Sequence, residues 1–475
     1  MFSNFFKTFF VLMVIAFLMW GFSDSYSASN IDNIAHITAI AIDKNDNASA
    51  DLKVSFQFVD VSSSGGGSES SSESSVIVIG VNSNTISNAI SQLNAYIGKE
   101  VNLSHCRNII FSREFASQGI APDIYTLINN VQMRPSTNIV ISTSDASDYL
   151  KNSNPNVEEL ISKYYDTFEL TSNFTGFSDD ATLGRFYDNI LRTGTGNTAI
   201  LGETFANLSS KSSSEGSSQS SSNGGSQSGG DSGGSSQSGG SSQSSGGSGG
   251  SSQSGGDSQS GGSSGSSSQS GEGAGSTSQS ESQSDSSHPI LEESAERGTQ
   301  NVGIAVFKDD TYIGELSSTE SMYHLLVTNN IDSFVISVPI EGYSEGIINF
   351  QISPYKKTKI SIDTSSEVPS IKVNAFCEAY VLSIDRQKNY GDMDFINKTS
   401  PIVEKYLKEN ISSYLNRSSK EFKVDIANFY EIARANFLTI PEWNNYNWNE
   451  KYQNANFSVN VNLNLNSQLL FIENE

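Results

Sequence analysis

Alternation of apolar and polar residues marks the clearest strands. Leu52, Val54, Phe56 and Phe58 alternate with Lys53, Ser55 and Gln57, a period of two that predicts a half-buried strand over Leu52–Val59. Ala35–Ile42 reads as a strand before it, and Lys44-Asn45-Asp46-Asn47 carries turn chemistry, so the two predict a hairpin. After a Ser/Gly/Glu loop over Ser62–Ser75, Val76–Val81 reads as a third strand. Ile86, Ala89, Ile90, Leu93 and Ile97 then recur at helical spacing, predicting a helix over Thr85–Ile97. A strand at Asn108–Phe111 leads into a helix at Ser112–Gln118 closed by Gly119. Helices are expected at Pro122–Val131, Val157–Phe168 and Ala181–Leu191, and a strand at Asn138–Ser142.

A second ordered stretch opens with a hairpin over Val302–Leu316, turning at Asp309-Asp310. A helix over Thr319–Thr328 follows, with Ser318 as N-cap and Glu320 one position short of a capping box. Strands are expected at Phe334–Ile340, Ile347–Ile352, Lys359–Asp363 and Ile371–Asp385, and long helices at Pro401–Leu415 and Ser419–Ala435. The last strand is the cleanest: Phe457, Val459, Val461, Leu463 and Leu465 interleaved with Asn460, Asn462 and Asn464. Hairpins mixed with helices give an α+β fold class, with several domains of mixed sheets and packed helices.

Between these stretches, Ser209–Ser287 is almost wholly Ser, Gly and Gln. Such a composition buries too little apolar surface to offset chain entropy, which predicts a disordered insert. At the N-terminus, Phe9–Phe22 is an uninterrupted apolar run preceded by Lys7. It is shorter than the roughly 20 residues that span a bilayer comfortably. Small residues flank a cleavage-like site at Ser25-Tyr26-Ser27, so a cleaved signal peptide and a retained anchor both remain open. The division expected is therefore 1–28 as signal or anchor, 29–208 as an α+β region of two subdomains, 209–287 as the insert, and 288–475 as a C-terminal α+β domain.

A net charge of −24 argues against nucleic-acid binding and against electrostatic recruitment to anionic lipid. The two cysteines, Cys106 and Cys377, make no disulfide framework, and Cys377 sits mid-strand as a small buried hydrophobe. The histidines His36, His105, His288 and His324 lack the spacing that sets two imidazoles around zinc on one helix face. No nucleophile elbow or phosphate-binding loop occurs. Acidic pairs such as Asp179-Asp180, Glu158-Glu159 and Glu292-Glu293 read as helix-start or solvated charges. The expectation is a non-enzyme without cofactor or metal. His105 and Arg107 are candidate partner contacts, weighed against hydrogen bonding of a loop that enters a strand. Trp443 and Trp448, with Tyr446, are candidates too, weighed against plugging a domain edge. Asp425 reads as a cap or ion-pair residue.

Several segments resemble the Ger(x)C spore germination proteins, the C subunits of germinant receptors. Ile31–Lys44 (IDNIAHITAIAIDK) and Val302–Leu316 (VGIAVFKDDTYIGEL) are similar to the opening strands of that family's two halves. Thr85–Leu93 resembles its helix after the third strand. Ser104–Ile110 with Ala116–Ile120 resembles its next segment, and Lys423–Ile426, Ile440–Trp443, Trp448 and the final strand resemble its last motif. The resemblance implies a three-domain α/β ectodomain at the outer face of the spore inner membrane. It implies assembly there with integral membrane A-type and B-type subunits in nutrient sensing. Two departures stand out: Ser25 occupies the place of the family's lipid-bearing Cys, so no lipidation carries over, and Tyr26-Ser27 replaces its WD pair.

Two other readings compete. One is an exported surface-binding or adhesion protein with the Ser/Gly tract as a stalk. The other is a secreted hydrolase, disfavoured by the absence of a triad or metal constellation.

Overall fold

A computed structural model describes residues 2–21, 33–45, 50–59, 76–153, 161–192, 195–204, 298–340, 346–382 and 393–466. The expected insert, Ser25, His288, Glu158-Glu159 and Glu292-Glu293 lie outside them. Helix α1 spans Phe2–Gly21. Among the described residues, no helix is long and apolar enough to cross a membrane.

The next elements are β1 (Ile34–Lys44), β2 (Leu52–Val59), β3 (Val76–Ser83), α2 (Ile86–Ile97), β4 (Glu100–Asn102) and β5 (Asn108–Ser112). Then come α3 (Arg113–Ala116), α4 (Ala121–Ile128), β6 (Asn138–Ser142), α5 (Ala146–Asn152), α6 (Ile161–Thr175), α7 (Leu183–Leu191) and β7 (Gly196–Thr204). After the insert follow β8 (Thr299–Lys308), β9 (Thr311–Leu316), α8 (Ser318–Thr328), β10 (Phe334–Pro339), β11 (Ile347–Asp363) and β12 (Ser370–Val381). The chain closes with α9 (Met393–Asn416), a π-helical turn at Arg417–Phe422, α10 (Phe429–Arg434), α11 (Ile440–Tyr446), α12 (Trp448–Tyr452) and β13 (Asn456–Asn466).

The first sheet runs β3-β2-β1-β5-β6-β7-β8-β9, with β4 beside the start of β1. Its middle is parallel, β1 to β5 to β6 to β7. These strands are buried on both faces, which explains runs such as NIIFS and NIVIS with no polar alternation. Antiparallel hairpins form both wings. The second sheet runs β10-β11-β12-β13, antiparallel except for the parallel pair β12 and β13.

β8 and β9 head the expected C-terminal domain, yet they complete the first sheet. The apolar run Val302–Phe307 shows why. Alternation turns Ala305 and Phe307 into the first core and Ile304 and Val306 into the second. A bulge helps seat β8: the register to β7 shifts between Ile200 and Gly202, where Gly303 holds a φ of +104° that a side chain would oppose. β8 is thus a wall shared by two hydrophobic cores.

Capping fixes the helix boundaries. Thr85 accepts from the Asn88 amide at the start of α2, and Gly98 closes it at φ +66°. For α8, Ser317 rather than Ser318 is the N-cap, so Glu320 falls at the third position and the capping box is complete. The expected pair of strands at Ile347–Ile352 and Lys359–Asp363 is one strand. Pro354 and the residues after it shift the register with β12 beyond the reach of β10, where a missing N–H costs least. The expected helix Ser419–Ala435 does not form as one piece. Lys423 and Asn428 adopt left-handed φ values of 58° and 56°, and Asp425 binds the first amides of α10. α9 starts at Met393 and carries Pro401 inside it. The buried strand β7, the short β4 and helix α5 had no expectation in the sequence.

Candidate functional site

The surface along which β7, β8 and β9 meet the second core holds several buried polar groups that join distant parts of the chain. Its tightest point is Gly196, the first residue of β7. Its amide donates to the Asp425 carbonyl at 2.8 Å. A Cβ there would lie 2.1 Å from Val424 Cγ1 and 2.9 Å from Ile426 Cγ2, so only glycine admits this approach. Gly196→Ala should cost about 2 kcal/mol through overpacking, and Val424→Ala in the same chain should recover part of it. A double-mutant cycle by urea denaturation measures the coupling.

Asp425 is fully buried. Its carboxylate accepts from the Phe429 amide at 3.1 Å, the Tyr430 amide at 2.7 Å and Trp448 Nε1 at 3.0 Å. Burial pushes its pKa up to about 6, and these donors hold it back from rising further. Ser418 Oγ donates to the Val424 carbonyl at 2.8 Å and meets Tyr452 Oη at 2.9 Å, tying the π-helical turn to α12.

A second knot lies where α7 and β7 meet α8 and α9. Arg185 bonds Asp179, Asp180 and Thr198, and Thr198 also donates to Asp179. Burial, the largest influence, drives the Asp179 pKa upward, but Arg185, His324 and the Thr198 hydroxyl together outweigh it and the net direction is down. Of the acidic pair read as helix-start or solvated charges, which lies just before the α7 N-cap Thr182, Asp179 is buried at 1% exposure and structural. Beside it, His324 on α8 shares a 2.8 Å hydrogen bond between Nδ1 and Tyr414 Oη of α9. Burial lowers the His324 pKa to about 4, against the pull of Asp179.

His324 therefore opposes folding in acid. An unfolded histidine titrates near 6.5, so below that pH the unfolded chain takes up a proton that the folded state refuses until about pH 4. Between pH 7 and pH 5 this should remove about 2 kcal/mol. Asp123 and Asp425, with folded pKa values raised to about 6, act in the opposite sense over the same window. The informative quantity is therefore the stability gap between wild type and His324→Gln. It should shift by that amount in favour of the variant on acidification, and a constant gap contradicts the assignment.

The seam opens to solvent in a groove of about 530 Å³, lined by Arg113, Lys308, Tyr312, Glu315, Arg417 and Phe422 among others. Glu315 accepts from Arg113 at 3.0 Å and from Tyr312 at 2.9 Å. Arg417 bonds Glu320 of the capping box and Glu421, and lies 4.9 Å from the Phe422 ring centroid. Phe422 seats against Gly314, where a Cβ would come within 2.7 Å of its ring. Among the described residues, no group of His, Cys, Asp or Glu is arranged to hold a metal ion.

The sequence candidates fall in two places. His105 is exposed, with its ring 4.8 Å from that of His36. Partial burial and then the charges of His36, Arg134 and Arg107 lower its pKa. Arg107 is half-buried and pairs with Asp166 at 3.1 Å, while its backbone bridges Thr38 and Asn138 at the start of β5. Trp443 and Trp448, by contrast, are packing residues: both rings are buried in the second core with Tyr430, Phe437 and Tyr452 around them. The aromatic area they remove from water explains that outcome. Gly196, Arg185, His324 and the pair Glu320–Arg417 were not candidates at all. Only Ser317-x-x-Glu320 left a local signal, read one residue late.

Both halves of this arrangement match a known family. A model described as the spore germination protein N-terminal domain matches residues 27–203, and one described as spore germination B3/GerAC like, C-terminal, matches residues 302–468. The chain belongs to the Ger(x)C family of spore germination proteins. The role of this family member lies in spore germination, in association with a membrane. A solved structure titled "Crystal Structure of the GerBC protein" is similar over 90% of this chain and 98% of that one, at 11% identity and a TM-score of 0.46. No protein with a curated description matches the chain. The two family segments meet at the seam: the first ends inside β7, the second begins inside β8, and those strands pair.

Proposed function

We propose that this Ger(x)C protein is a non-enzymatic subunit of a germinant receptor. It works by assembly with integral membrane A-type and B-type subunits at the outer face of the spore inner membrane. The observation that carries the reading is the match of both family segments to two cores fused through one strand, β8. A body built that way transmits contacts as a unit, because both cores pack on the same strand. His105, exposed just before β5, and the half-buried Arg107 beside it are the contact residues we favour. Attachment would come from the apolar N-terminal helix or from the partner subunits, since Ser25 cannot carry a thioether-linked lipid.

The competing reading, an adhesion protein on a Ser/Gly stalk, sits poorly with strand pairing. Thr204 and Thr299, which bracket the insert, are direct cross-strand partners. A tract whose two ends meet separates nothing. Purification of the tagged chain from detergent-extracted spore membranes tests the assembly. Co-purification of two multi-span proteins is the expected result, and recovery of the chain without any multi-span protein contradicts it.

A further inference from the structure

β13 is the end strand of the second sheet, and its outer edge pairs with no other strand among the described residues. Its inner edge pairs with β12 from Asn456 to Asn466 without a register shift. Edge strands of soluble proteins are ordinarily guarded by a charge, a proline or a bulge. β13, with the sequence NFSVNVNLNLN, has none of these.

The strand is also complementary to itself. Set antiparallel to a second copy about Asn462, Val461 faces Leu463, Asn460 faces Asn464, Val459 faces Leu465 and Ser458 faces Asn466. Aliphatic meets aliphatic on the core side, and amide meets amide on the other, where directly opposed pairs add stability. An amide ladder already exists within the sheet, since Asn460 Nδ2 donates to Asn374 Oδ1 at 3.2 Å. In a chain of net charge −24, a charge-free strip is where two copies repel least.

The surroundings extend the strip. A groove of about 540 Å³ runs between β13 and the start of α9, lined by Ile396, Asn397, Ser400 and Pro401 on the helix, Leu463–Asn466 on the strand and one charged residue, Glu378 of β12, whose carboxylate accepts from Tyr380 Oη at 2.9 Å. Met393 is 65% exposed and lies on the same helix face as Ile396 and Asn397, at spacings of three and four. Strand pairing alone buries less than the roughly 1,200–2,000 Å² of a stable interface. The groove and the exposed Met393 of the flanking helix add apolar surface to the strand pairing.

We propose that β13 pairs antiparallel with β13 of a second copy, extending the second sheet across a two-fold axis. The pairing stands apart from the assembly with membrane subunits, and either can fail without the other. The test uses the full chain in mild detergent, with mass measured by light scattering after size exclusion. The wild type should be a dimer. Asn462→Cys should form an interchain disulfide that reductant reverses, because Cys106 and Cys377 are buried and free. Asn462→Lys, which sets two ammonium groups face to face, should be monomeric with an unchanged circular dichroism spectrum, while Asn462→Thr should restore the dimer. A monomeric wild type, a dimer indifferent to Asn462→Lys, or a cysteine that links to a different protein in spore membranes would each overturn the proposal.

Discussion

Asp425→Ala should destabilise the folded chain by about 4 kcal/mol, the order expected when three buried donors lose their shared acceptor. Two effects oppose one another. Removing the carboxylate relieves the burial that raises its pKa to about 6. It also strands three donors, the amides of Phe429 and Tyr430 and the indole N–H of Trp448, in a site closed to water. Each stranded donor costs about 1–3 kcal/mol, so the loss outweighs the relief. The damage should spread, since the same residue accepts the Gly196 amide through its carbonyl and so joins the second core to β7. Asn in its place keeps the volume but turns an NH₂ toward a donor, and should recover little. Urea titration read by tryptophan fluorescence checks this, as Trp448 reports on the site directly. A midpoint shift worth under about 1 kcal/mol, the size of an ordinary substitution, would show that Asp425 is not the pin described here.

Replacing the insert with a two-residue Asn-Gly turn between Thr204 and Thr299 should stabilise the protein. Those residues already face each other across β7 and β8, so the shortened connection is a simple hairpin. Cutting a connection of roughly 90 residues to a tight turn lowers the loop-closure cost by about 3 kcal/mol. The shortened chain should also support germination, since neither core draws a described residue from the insert. A rise in urea midpoint with retained function is the expected outcome. A fall in midpoint would mean that residues of the insert pack on the sheet, and the hairpin argument would fail.

How much of this was written in the sequence depends on the range of each interaction. β13 was legible because one face is buried and the other is not. β2 kept its period of two for another reason. The face expected to meet solvent is itself buried at Ser55 and Gln57, yet stays polar because Gln57 bonds the Leu150 carbonyl and Tyr165 inside the core. β7 left no such trace: all nine of its residues are buried, and GNTAILGET has neither alternation nor a strong β-branched run. β8 was legible as a strand, but its sheet was not, because a run apolar on both faces does not say which core it serves. The break in the helix expected at Ser419–Ala435 lies in Asp425, and its cause is a tertiary one, the donors of α10 and Trp448 gathered on one carboxylate. The seam was illegible for the same reason. Gly196 and Val424, or His324 and Tyr414, are far apart in sequence and meet only through the fold. The family likeness, by contrast, rested on short strands and their order, which local patterning preserves.

The most direct test of the account is the nutrient response of spores that lack this chain, measured as loss of optical density after exposure to a panel of nutrient germinants. The account predicts normal sporulation, failure to respond to at least one nutrient, and full rescue by the chain with residues 205–298 replaced by a short turn. Normal germination by the deleted spores with every nutrient, in a strain stripped of other germinant receptors, would contradict it.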